Sequence, residues 1–124
     1  MIPTILVLDD DEQIVSFVSQ MLQARGYDVI QATTERDGLT IVESNARVDL
    51  AIIDFWLGER PSLALLDAIE ERRPSMPVVV MSGGGSGISL EISHSVSRLR
   101  GANQFLQKPF RKADLQGLVQ DLLP

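Results

Sequence analysis

The sequence predicts an α/β protein, a (βα)5 unit built on a doubly wound five-stranded parallel sheet. Five short apolar runs recur along the chain: Thr4 to Leu8, Asp28 to Ala32, Asp49 to Ile53, Pro77 to Met81 and Gln104 to Gln107. Segments of helical period separate them. The third run, inside Val48 to Trp56, lacks polar alternation and is rich in β-branched residues, as a strand covered on both faces should be.

Each helix has its own signature. After the first run, Ile14, Val18, Met21, Leu22 and Arg25 mark one side, apolar but for the last, and Gly26 follows where a C-terminal cap belongs. Asp10 or Asp11 can serve as its N-cap, with Gln13 completing a capping box after Asp10. Thr34 can cap a second helix carrying Leu39 and Val42. Ser62 can cap a third carrying Leu63, Leu66 and Ile69, which Pro74 closes off. In the fourth, Ile88, Ile92, Val96 and Leu99 stand at i, i+4, i+8 and i+11 as the inner stripe. That stripe leaves Ser89, Ser93, His94 and Ser97 on a polar, solvated side. Leu115, Leu118, Val119 and Leu122 form the stripe of the fifth.

Bulk properties narrow the function. With 124 residues the chain is expected to be one domain, residues 1 to 124, able to bury a core without staples. It has no cysteine and one histidine, so thiolate and zinc sites are excluded and any metal must be held by oxygen. A net charge of −6 argues against a nucleic-acid surface. The first apolar run stops at three aspartates with no basic segment before it, so neither a signal peptide nor a membrane span is expected, and the default location is cytoplasmic.

Among doubly wound five-stranded sheets, the common strand order is 2-1-3-4-5, whose switch point lies between strands one and three. That order brings Asp9-Asp10-Asp11 beside Asp54. The residues ending each run then share one sheet edge: Asp9 and Asp10, Thr33, Asp54, Ser82 and Lys108. Two carboxylates about 4 Å apart repel by roughly 4 kcal/mol at an effective dielectric near 20, which a hard divalent cation relieves. Mg2+ favours a few carboxylates plus water and phosphate oxygens. Lys108 and the Ser82 hydroxyl are suited to hold the other oxygens of a phosphoryl group on Asp54.

Four segments in this order, Ile5–Asp11, Asp49–Asp54, Pro77–Ser82 and Phe105–Phe110, make the chain similar to the receiver domains of two-component response regulators, of the single-domain chemotaxis type. The resemblance spans essentially the whole chain and implies a flavodoxin-like fold. It implies that Asp54 is the phosphoacceptor and that Asp10, with Asp9 partly through water, binds Mg2+, the Trp56 backbone carbonyl completing the site. Ser82, Lys108 and the Gly83 amide would contact the phosphoryl oxygens. Ser82 would move inward on phosphorylation, and Phe105 would rotate into the vacated space, altering the surface of the fourth helix, fifth strand and fifth helix. The Lys108-Pro109 bond is expected to be cis. The implied donor is the phosphohistidine of a sensor kinase or phosphotransfer protein. The output is a protein contact or onward phosphotransfer, with dimerisation through the same surface one form of it. Such a protein catalyses only its own phosphorylation and dephosphorylation.

Some positions depart from the family pattern. Gly58 stands where proline usually follows the acceptor loop, and Pro61-Ser62 replaces an acidic residue and glycine, so that loop should differ in shape. Phe105 takes a place often held by tyrosine. Gly83-Gly84-Gly85-Ser86-Gly87 predicts a mobile loop in the absence of phosphate. Trp56 either shields the acyl phosphate or covers the loop.

Two other readings compete. Asp9-Asp10-Asp11 resembles the nucleophile motif of haloacid dehalogenases, with Asp9 as the phosphorylated residue, but that leaves Asp54 without a role and offers no acidic pair after Lys108. A receiver-shaped module that is never phosphorylated is the other. The glycine run lacks the Lys-Ser/Thr of a nucleotide loop.

Overall fold

A computed structural model describes residues 1–83 and 90–123, with the side chains of 90–92 left out. In chain order the elements are β1 (Thr4–Leu8), α1 (Glu12–Gln23), β2 (Asp28–Ala32), α2 (Glu35–Glu43), β3 (Leu50–Asp54), α3 (Leu63–Arg72), β4 (Val78–Ser82), α4 (Leu90–Leu99), β5 (Gln104–Gln107) and α5 (Lys112–Leu122). The strands form one parallel sheet in the order β2-β1-β3-β4-β5. A separate ribbon pairs Trp56–Leu57 with Arg60–Pro61 just after β3.

Strand residues alternate between two apolar layers, as the pleat requires. Ile5, Val7, Leu50, Ile52, Val79 and Met81 face α1 and α5, meeting Val15, Val18, Leu22, Leu115 and Val119. Leu6, Leu8, Ala51, Ile53, Val78 and Val80 face the other side, meeting Val42 of α2 and Leu65, Leu66 and Ile69 of α3. β3 is buried along its whole length, and it ends in Asp54. The sheet therefore offers β3 no solvent except at its carboxyl end, where Asp54 stands.

The helix ends follow local chemistry, with two corrections. Asp11 caps α1, its Oδ1 accepting from the Gln13 backbone N–H at 2.9 Å, so Gln13 contributes its amide and not a side-chain box with Asp10. Gly26 adopts φ +90°, and the Tyr27 N–H reaches the Leu22 carbonyl at 3.2 Å, closing the helix in a Schellman arrangement. Thr34 caps α2 through the Asp37 N–H. Ser62 precedes α3 but does not cap it. Its backbone (φ −78°, ψ 38°) is not the extended form that aims a capping oxygen at the first turn. Instead its N–H donates to the Phe55 carbonyl at 2.7 Å, and its buried hydroxyl has no hydrogen-bond partner among the described residues.

A third correction is the orientation of α4. Ser93 and Ser97 are buried, His94 is half-buried, and Leu99 is 87 % exposed. The helix is thus turned from the stripe predicted by its aliphatic residues, with small serines inward. This roll carries His94 to Phe105 and Ser82. Ile88, Ser89 and the loop beyond Gly83, for which mobility was expected, lie outside the described residues, as does the Ile92 side chain.

Candidate functional site

The sheet register assembles the site. Leu8 of β1 stands opposite Ile53 of β3, so the next residue on each strand, Asp9 and Asp54, emerges side by side. Gln107 of β5 stands opposite Ser82 of β4, and the following Lys108 donates its backbone N–H to the Ser82 carbonyl at 2.8 Å. Parallel pairing thus brings four strand ends to one edge. Carboxylate oxygens of Asp9, Asp10 and Asp54 all lie within 4.8 Å of one another.

Lys108 spans the acidic group. Its Nζ donates to Asp9 Oδ2 at 2.6 Å and lies 3.3 Å from Asp54 Oδ1. Asp9 is fully buried and accepts a second bond, from the Asp11 N–H, on Oδ1 at 2.9 Å. Asp10 is exposed, and its Oδ2 accepts from the Gly58 N–H at 2.9 Å. Gly58, at φ +69°, turns the short ribbon so that its amide faces Asp10. The sequence offered no direct sign of this bond beyond a glycine in the acceptor loop.

These contacts set the charges. Burial, then the neighbouring Asp9 charge, pushes the Asp54 carboxyl up to about 7, although Lys108 pulls it down. Burial likewise raises Asp9 against the pull of Lys108. Burial opposes the Lys108 ammonium, but bonds and charge from Asp9 and Asp54 outweigh it and raise its pKa above the ordinary value. One cation therefore faces two buried carboxyls, and both are held above the ordinary carboxylate range. Hard oxygen donors carrying more negative charge than Lys108 offsets fit a divalent cation of the Mg2+ type, and Asp9, Asp10 and Asp54 are the residues that could hold it.

Asp54, Trp56, Gly83 and Lys108 line an open cleft of about 220 Å³ above the acidic group. Trp56 is half-buried, its ring edge-on to Phe55 with centroids 5.2 Å apart. At Gly83 an added Cβ would come within 3.3 Å of Lys108 Cδ, so a side chain there would crowd the lysine stem. The Lys108-Pro109 peptide is cis. Thr33, the remaining strand-end residue, follows β2 next to β1, the edge strand away from β4 and β5.

The Ser82 side of the edge differs. Ser82 is buried, and its Oγ lies 3.0 Å from His94 Nε2. His94 in turn stacks on Phe105, ring centroids 4.3 Å apart and planes 22° from parallel, and the Arg98 guanidinium carbon sits 5.2 Å from the same ring centroid. The expectation of a solvated His94 is therefore wrong. Helical period misled there because Ser93 and Ser97 of α4 are buried while Leu99 is exposed. The available signal was spacing: His94 and Arg98 stand at i and i+4, able to flank one aromatic ring.

Known proteins resemble this chain over nearly its whole length. The family model "Response regulator receiver domain" matches residues 5–120. The nitrogen assimilation regulatory protein NtrX of Azorhizobium caulinodans is 36 % identical over 109 residues, covering 86 % of this chain and 23 % of the relative. The photosynthetic apparatus regulatory protein RegA of Rhodobacter capsulatus is 31 % identical, covering 97 % of this chain and 61 % of the relative. The chain spans about a quarter of the length of the NtrX-type relatives it matches. Among solved structures, a CheY-like receiver domain protein from Methanospirillum hungatei superposes with a TM-score of 0.87 at 30 % identity, covering 98 % of this chain and 93 % of the other. The receiver domain of NtrX from Brucella abortus gives 0.84 at 31 % identity, covering 96 % and 97 %.

Proposed function

The chain belongs to the response regulator receiver family, whose members are phosphorylated by histidine kinases, and on that premise we propose that it accepts a phosphoryl group on Asp54. The carrying observation is the bridge of Lys108 Nζ between Asp9 and Asp54, inside a trio of carboxylates that one divalent ion could share. A structural ion pair needs one acid; here two are buried against one base, an arrangement that costs stability unless further positive charge arrives.

In this reading an Asp54 oxygen attacks phosphorus on a phosphohistidine of a sensor kinase or phosphotransfer protein. The new O–P bond forms as the N–P bond breaks, and the imidazole leaves with its electron pair. Mg2+, when bound through Asp9, Asp10, Asp54 and the Trp56 carbonyl, supplies positive charge to the acceptor and to the transferring oxygens. Lys108 shifts from its bridge to the phosphoryl oxygens, and the Ser82 hydroxyl and Gly83 amide take up the others. Phe105 follows Ser82 and alters the α4-β5-α5 surface, through which the domain meets a partner or a second copy of itself. Residues 1–124 act as one receiver unit that modifies only itself, and the location typical of response regulators is the cytoplasm. Among the described residues no helix is long and apolar enough to cross a membrane.

The dehalogenase-like alternative needs Asp9 as nucleophile. Asp9 is fully buried with one oxygen on the Asp11 amide and the other on Lys108, whereas Asp54 opens onto the cleft. The test is Trp56 fluorescence during a Mg2+ titration, followed by beryllium fluoride as a phosphoryl mimic. A saturable change at both steps in wild type, with the second lost in Asp54→Asn, is expected. A wild-type protein silent to both would make the unphosphorylated module the better account.

A further inference from the structure

Ser82 and Phe105 lie on the same face of the sheet. Val78 and Val80 point into the α2-α3 layer, so Ser82, two residues on, does too, and Phe105 stands in register with Val80 and packs at the margin of that layer. His94 reaches across from α4 to both of them. Its Nε2 lies 3.0 Å from Ser82 Oγ, and its ring lies against the face of Phe105. Among the described residues the hydroxyl's hydrogen-bond partner is His94, and neither Lys108 nor Asp54.

A serine hydroxyl carries a single proton. If that proton is given to Nε2, it is not available to a phosphoryl oxygen. The second partner of His94 would feel the change, because a ring freed from Ser82 can tilt on Phe105.

We propose that His94 is a positioning residue that holds the Ser82 hydroxyl toward α4 and ties it to Phe105, so that Ser82 must release His94 before it reaches a phosphoryl group on Asp54. This rests on the phosphoacceptor reading. It gives α4 a direct link to the site: Ser82 Oγ lies 3.0 Å from His94 Nε2, the His94 ring stacks on Phe105, and Arg98 sits over that same Phe105 ring. Phosphorylation then competes with one hydrogen bond, and the loss of that bond frees Phe105 and the roll of α4 together.

Two substitutions separate the bond from the stack. His94→Phe keeps an aromatic ring on Phe105 and removes the acceptor; His94→Gln keeps a hydrogen-bonding end and removes the ring. Both are assayed by beryllium fluoride titration in saturating MgCl2, read from Trp56 fluorescence, and by the aromatic NMR resonances of Phe105. His94→Phe should bind the mimic roughly fivefold more tightly than wild type, the size of one neutral hydrogen bond no longer opposing Ser82. His94→Gln should bind within about twofold of wild type, its amide replacing the bond, while the Phe105 resonances lose most of their response to the mimic. A packing role alone would change melting temperature in both variants and leave these two readouts in step. Binding by His94→Phe that is equal to or weaker than wild type overturns the inference, as does an undiminished Phe105 response in His94→Gln. Failure of wild type itself to bind beryllium fluoride would overturn the phosphoacceptor reading, and this inference with it.

Discussion

The two halves of the sheet's carboxyl edge are built from opposite materials. At β1 and β3, three carboxyls crowd around one ammonium, and burial keeps two of them from ionising easily. At β4 and β5 the groups are a hydroxyl, an imidazole and a phenyl ring, joined by one hydrogen bond and one stack. The first half stores unfavourable electrostatics that a cation and a phosphoryl group would rearrange. The second half carries no carboxyl or ammonium of its own among these three side chains. Under the proposed function, chemistry and signalling would be divided between neighbouring strand ends.

Substitutions in the acidic half should separate the two roles most sharply. Asp54→Asn should abolish phosphoryl acceptance from acetyl phosphate in the presence of Mg2+, followed as a gain of one phosphoryl group by intact-protein mass spectrometry. Lys108→Met should slow acceptance about a hundredfold, as expected for removing a preorganised charge from a transferring group. The same change should tighten Mg2+ binding, measured by Trp56 fluorescence, because the ammonium that now neutralises Asp9 and Asp54 would no longer compete with the metal. Weaker Mg2+ binding by Lys108→Met would mean that the lysine supports the carboxylates instead of standing in for a cation.

The halves should also differ in their response to pH. Asp54 titrates at about 7 in the folded protein against an ordinary 3.8, so across that interval the folded state holds more protons than the unfolded one. Stability of the metal-free protein should therefore fall as pH rises through that window, and Asp9, also raised, adds in the same direction. The raised Lys108 acts only above its ordinary 10.5, outside the window. Thermal melts between about pH 5 and pH 8 should show a declining midpoint that saturating Mg2+ flattens and Asp54→Asn largely removes. Ser82→Ala, which removes no titrating group, should leave the slope as it is. A slope altered by that change would join the two halves into one titrating unit.

The smallest effect concerns Trp56. If its ring, seated beside Asp54 in the cleft, keeps water from the acyl phosphate, Trp56→Asn should shorten the phosphoryl half-life a few-fold. A half-life unchanged or longer would leave the ring as a cover for the ribbon, held edge-on by Phe55.

Legibility in the sequence follows the same division. The parallel sheet was readable because unbroken apolar runs such as Leu50 to Ile53 have few alternatives in a chain of alternating periods, whereas its strand order is fixed by no residue pattern and was expected only as the common order of such sheets. The meeting of Asp9, Asp10, Asp54 and Lys108 was readable because strand ends in such sheets converge, and charged residues there have no core to enter. The His94 contacts were not. An amphipathic pattern assigns faces by hydrophobicity, yet α4 buries Ser93 and Ser97 and leaves Leu99 outside, so the assignment failed by a fraction of a turn. Ser62 and Gly58 escaped for a related reason: their roles are set by backbone angles in the loop after β3, where residue type constrains position weakly.

The central claim is that Asp54, and neither of its acidic neighbours, becomes the phosphorylated residue. Incubation with Mg2+ and acetyl phosphate, reduction of the acyl phosphate by borohydride and tandem mass spectrometry of the peptides test it directly. Reduction should convert residue 54 alone to homoserine, in a Mg2+-dependent manner. Homoserine at position 9 or 10, or at no position, would contradict the account.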